Sequence, residues 1–142
     1  MSGSGNKVLT GGTDLTVSRL LTIAGTASLN MGTGTLAGGA DTGGGLTMTG
    51  GTLTLAKIGV TLPEIGGSYS LTGGTIDFAG TNQTVRAATY NNITLSGGGV
   101  YHASGNLTAN GTLNLFNGIL YLDNSDLTIG TSGTISGAFD AA

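Results

Sequence analysis

Phrases of sequence recur along this chain every roughly 20–25 residues, and that recurrence restricts the fold more than any other feature. Ile93-Thr94-Leu95-Ser96-Gly97-Gly98 lies over Leu113-Asn114-Leu115-Phe116-Asn117-Gly118 at a shift of 20. The same shift lays Val100-Tyr101 on Leu120-Tyr121 and Leu107-Thr108 on Leu127-Thr128. Earlier, Leu21-Thr22-Ile23, Leu46-Thr47-Met48 and Leu71-Thr72-Gly73 open similar phrases at equal intervals. Inside each unit apolar residues alternate with small polar ones, as in Thr52-Leu53-Thr54-Leu55, Thr75-Ile76-Asp77-Phe78 and Thr112-Leu113-Asn114-Leu115. That period of two marks strands with one buried face. Gly-Gly, Asn-Gly and Ser-Gly pairs separate the strands and suit sharp corners.

Three short strands and three corners per repeat describe one coil of a parallel β-solenoid, each strand pairing with its equivalents in the coils on either side. The expectation is an all-β domain over residues 7–142, a parallel β-solenoid (β-helix) of about six coils, each of roughly 20–25 residues. Composition agrees: 29 glycines and 24 threonines among 142 residues disfavour helices. The interior should be lined by Leu53, Leu55, Ile76, Phe78, Ile93, Leu95, Leu113, Leu115, Leu120, Leu127 and Ile129. Tyr101 and Tyr121 should share a face one coil apart and stack. The segment from Ala56 to Tyr69 breaks the pattern with Lys57, Pro63 and Glu64 and is expected as a looser corner or small protruding loop. Residues 1–6 read as a flexible leader, an engineered scar, with none of the basic and apolar regions of a signal peptide.

Few residue types that carry chemistry are present. Only 4 Lys+Arg and 7 Asp+Glu occur, with one His and no Cys, for a net charge of -3. This balance argues against nucleic acid as a partner. Thiolate metal sites and disulfides are excluded, and no apolar run reaches the ~18 residues of a membrane-spanning helix. A polysaccharide-cleaving β-helix would need several carboxylates converging with basic residues, whereas Asp77 and Asp123 read as single acids on solvated positions. His102 shows no partner in the sequence. Asp123 and Asp126, in Asp123-Asn124-Ser125-Asp126, are the one calcium candidate, but the loop offers fewer than the six to eight oxygens that calcium takes. An Asx turn at a coil corner is the competing role. The triplets starting at Asn82, Asn92, Asn106 and Asn110 match N-glycosylation acceptors, a pattern that chance supplies in a chain rich in Asn and Thr. Gly43-Gly44-Gly45 and Gly97-Gly98-Gly99 read as corners, since no helix follows to form a phosphate-binding loop. No enzyme activity and no cofactor is expected.

The run from Gly74-Thr75-Ile76-Asp77-Phe78 to Thr84-Val85, then Tyr90-Asn91-Asn92-Ile93-Thr94-Leu95, Gly105-Asn106-Leu107-Thr108 and Gly111-Thr112-Leu113-Asn114-Leu115, resembles repeat regions of large bacterial surface proteins. The resemblance is to the β-solenoid stalks of autotransporter passengers and filamentous-haemagglutinin-type adhesins. It implies a non-enzymatic structural or adhesive role at the cell surface or outside the cell, with a surface glycan or another cell as a partner, and it brings no catalytic residues. Head-to-tail association of the chain with itself is expected too, because no amphipathic helix caps either end of the repeat. Two alternatives remain open. Outward Thr-x-Thr pairs such as Thr47-x-Thr49 and Thr52-x-Thr54 suit an ice-binding face, though equivalent positions drift to Asn114 and Asp77. Carbohydrate binding is the other, with neither Trp nor clustered carboxylates to support it.

Overall fold

A computed structural model describes residues 5–8, 12–38 and 44–137. Among these, every strand pair is parallel, and the strands form one parallel β-solenoid of about six turns. The longest sheet is built from β1 (Gly5–Val8), β3 (Leu21–Ile23), β4 (Ala27–Asn30), β6 (Leu46–Leu55), β8 (Tyr69–Phe78), β11 (Asn92–Leu95), β14 (Thr112–Leu115) and β17 (Thr134–Gly137). A second sheet stacks β7 (Thr61–Leu62), β9 (Asn82–Val85), β12 (Val100–Ala103) and β15 (Ile119–Tyr121). A third stacks β10 (Thr89–Tyr90), β13 (Leu107–Ala109) and β16 (Leu127–Ile129), and a short fourth joins β2 (Leu15–Val17) to β5 (Leu36–Gly38) in the first two coils. The expected leader overlaps this structure, since β1 takes in Gly5 and Asn6; residues 1–4 lie outside the described residues.

Alternation decides which side chains fill the tube. Leu29, Leu53, Ile76, Ile93 and Leu113 stack in one inward column of the long sheet, all but fully buried. Leu55, Phe78 and Leu95 run beside them. The column changes character at its two described ends. Ile135, next above Leu113, is 41% exposed against 1% for Leu113, and Leu115, Leu120, Leu127 and Ile129 are only partly buried. At the other end the inward register position, paired with Leu29, is held by Lys7, which is exposed.

The long strands β6 and β8 round a corner without leaving the sheet, by a register shift around Gly50-Gly51 and Gly73-Gly74. Gly51 and Gly74 have φ of +74° and +78°, and a Cβ on Gly74 would sit 2.5 Å from the Gly50 carbonyl oxygen. Only glycine combines that left-handed backbone with that close approach. Coil length varies more widely than the repeats suggest: Thr75 lies beneath Asn92 at an offset of 17, while Thr112 lies beneath Thr134 at an offset of 22. The ladders hold register and the corners absorb the difference.

The segment 56–69 is a correction. Instead of looping out, it supplies β7, a bridge from Glu64 to Ala37, and the fully buried Leu62 and Ile65. Its charged residues are what tie it down. Lys57 Nζ lies 2.9 Å from a Glu64 carboxylate oxygen and 2.8 Å from Thr35 Oγ1 of the preceding coil. Arg86 Nε donates to the carbonyl of Pro63, whose peptide bond is cis, at 2.7 Å. The Tyr69 hydroxyl reaches the carbonyls of Pro63 and Ile65.

Candidate functional site

Asp77, Asp123, Asp126 and His102 lie on outward positions, and of these four only Asp123 and His102 come together. Asp77 projects from β8 and accepts a hydrogen bond from Ser96 Oγ at 2.6 Å. Asp126 lies beside β16; its N–H donates to Asn106 Oδ1 of the coil below at 2.9 Å. Asp123 sits at φ +54° in a turn closed by the Ser125 N–H on the Leu122 carbonyl, at 2.9 Å. Its carboxylate faces His102 Nδ1 at 3.0 Å, so the histidine that had no partner in the sequence has one in the fold. Among the described residues no three His, Asp or Glu side chains gather as metal ligands.

The expected Tyr101–Tyr121 stack is overturned. Val100 pairs with Ile119, an offset of 19 where the repeat of the sequence is 20. A slip of one residue turns a strand's side chains over: Tyr101 pairs with Leu120 and is fully buried, while Tyr121 is 49% exposed. The partner stacked on Tyr121 is His102, with ring centroids 5.5 Å apart and planes inclined by 19°.

Polar side chains whose structural role the sequence did not disclose hold coil to coil. Gln83 points into the core and is 2% exposed; its Oε1 accepts from Gly80 N–H at 3.0 Å, and its Nε2 donates to the Leu55 and Lys57 carbonyls at 2.9 and 2.7 Å. Asn92 Nδ2 donates to Gly74 O in one neighbouring coil at 2.9 Å, and its Oδ1 accepts from Thr112 N–H in the other at 2.8 Å. The Thr35 N–H on Asp14 Oδ1, at 2.7 Å, lowers that carboxyl's pKa. The Tyr101 hydroxyl lies 3.0 and 2.8 Å from the carbonyl oxygens of Phe78 and Gly80 and accepts Gly97 N–H at 2.9 Å. Burial raises the pKa of Tyr101, of Tyr90 strongly, and of Tyr69 to about 12. A signal for Gln83 existed, since it holds an inward place in the Asn82-Gln83-Thr84-Val85 alternation.

Among the described residues, the three larger sheets each present an outward face. The second sheet exposes Ile119 and Tyr121 above Val100 and His102, and the third carries one column of threonines, Thr89, Thr108 and Thr128. The long sheet carries two columns. Ser28, Thr52, Thr75, Asn92, Thr112 and Thr134 form the first. Asn30, Thr54, Asp77, Thr94, Asn114 and Ser136 form the second. No register shift interrupts these columns from Ser28 to Ser136. Comparison with known protein families, with curated proteins and with solved structures finds no match to this chain.

Proposed function

We propose that this chain is a non-enzymatic structural module, a segment of a bacterial surface or extracellular β-solenoid that associates head to tail and offers weakly charged faces for adhesion. The observation that carries the structural reading is where its polar side chains spend their hydrogen bonds. Asp14, Lys57, Gln83, Asn92 and Asn106 all bond across to a neighbouring coil, which is the work of a scaffold. The surface setting comes from the resemblance of the repeats to adhesin stalks, and a surface glycan or another cell is the class of adhesive partner that goes with it.

Self-association is supported by the exposure of Ile135 and by charge. The first coil carries Lys7 and Arg19 against one acid, Asp14, whereas the last complete coil carries Asp123 and Asp126. Opposite charges at opposite ends favour head-to-tail over head-to-head encounter. Backbone groups on the outer edges of β15, β16 and β17 would pair with the next copy as each coil pairs with its neighbour. Sedimentation across a concentration series, with electron micrographs of the same samples, tests this. Rods longer than one chain that grow with concentration are expected; a monomer throughout would refute the association.

A further inference from the structure

We infer that the two outward columns of the long sheet are an ice-binding face. The face belongs to the side of the solenoid, so the inference stands whether or not the chain stacks end to end.

Short polar side chains repeat there in two dimensions, about 4.8 Å from coil to coil and about 6.7 Å between alternate residues of one strand. Each such group contributes little alone. A ligand gains from all of them together only if its own groups repeat with a similar translation, and a crystal surface does. The water oxygens of hexagonal ice repeat on comparable spacings. Charge and ring chemistry favour frozen water over a charged or sugar ligand. Asp77 is the one ionisable group in the twelve positions, and no aromatic side chain lies among them. The groups are also held in place before contact. Six are threonines, stiff at χ1. Thr112 and Thr134 hydroxyls lie 3.2 Å apart, and Ser136 Oγ donates to Asn114 Oδ1 at 3.3 Å. The drift to Asn114 and Asp77 changes the group at those positions while leaving their register intact. Asn92 is the weak point, because its amide is turned back onto Gly74 and Thr112.

Thermal hysteresis and partition of labelled protein into a growing ice hemisphere would test this on the full chain at a concentration where it sediments as a monomer. Hysteresis and incorporation into ice are expected. Thr54→Lys and Thr94→Lys, each placing a long cation in the second column, should abolish most of both while circular dichroism and the melting temperature stay unchanged. Thr134→Lys, at an exposed position, provides the same reading if either variant fails to fold. Thr128→Lys, on the third sheet, should leave both intact, and Asp77→Thr should increase them. Folded protein with no hysteresis and no incorporation would overturn the inference. So would equal losses from Thr128→Lys and Thr94→Lys. Retention on crystalline cellulose that Thr54→Lys and Thr94→Lys abolish, without activity on ice, would reassign the face to a polysaccharide.

Discussion

Gln83 is an amide in a column otherwise made of leucine, valine and aromatic side chains, and it is there because the corner at Ala79–Thr81 and the Leu55–Lys57 stretch of the preceding coil turn backbone groups toward the core. Its side chain serves Gly80, Leu55 and Lys57 together. A buried backbone group left without a partner costs about 1–3 kcal/mol, so Gln83→Leu is expected to lower the unfolding free energy by about 2–4 kcal/mol despite the added apolar surface. Urea denaturation would measure it, and a neutral or stabilising result would show that water replaces the amide. The tyrosines make a second residue-scale prediction. Tyr69, Tyr90 and Tyr101 keep their hydroxyls in bonds to backbone carbonyls, and burial raises all three pKa values. A raised folded-state pKa gives stability that is complete below the unfolded value of about 10 and is lost as pH climbs through the folded one. Tyr90, the deepest hydroxyl, alone removes about 1.4 kcal/mol per pH unit above 10. In a Tyr121→Phe background, phenolate absorbance should therefore rise together with loss of β circular dichroism. Ionisation well before unfolding would refute the assignment.

At the scale of the strand, position along the axis should decide how much a core leucine matters. Leu53 has a coil on either side and is fully buried, whereas Leu127 is only partly covered. Leu53→Ala should cost about 3 kcal/mol and Leu127→Ala roughly half of that. Equal losses in denaturant titrations would mean that the last coil is as tightly packed as the middle. The sequence carried the strand phase of the long sheet almost completely, because Thr-Leu-Thr-Leu and its variants alternate within each strand and Leu113 stacks on Ile93 at the offset of 20 that the repeats show. It failed at Tyr101. There the corner Ser96–Gly99 and the corner Phe116–Gly118 differ by one residue, and glycine-rich corners carry no hydrophobic pattern from which to count. The segment 56–69 misled for a related reason. Lys57, Pro63 and Glu64 look like loop chemistry, yet Lys57 bonds to Thr35, Pro63 to Arg86, and Glu64 bridges to Ala37, all between coils, and a partner a whole coil away along the chain is invisible to local reading. The two polar columns were legible as Thr-x-Thr fragments, but their continuity required knowing that coils of unequal length stay in register.

For the molecule as a whole, head-to-tail continuation in the native register would set Asn6 of one copy against Thr134 of the next, and therefore Lys7 against Ile135. An inward-pointing lysine is a common guard on an open sheet edge. Lys7 adds to the attraction between the ends, but burying its ammonium against Ile135 costs more than that attraction returns, so Lys7→Leu should shift sedimentation toward larger species at lower concentration. Added salt should weaken association of the original chain, by screening the charges at the two ends, more than that of the variant. No change on substitution would place the contact elsewhere. The ladder has a mechanical consequence as well. Its hydrogen bonds run along the axis of the solenoid, so a pull on the two ends of the chain loads them one row after another instead of many rows at once. Each coil contacts only its neighbours, and rows should give way in succession. A coil of about 20 residues that peels off converts one step of about 4.8 Å into roughly 65 Å of extended chain. A force–extension trace should show repeated small peaks at that spacing, the behaviour of a tether that lengthens under load and closes again when the load is removed.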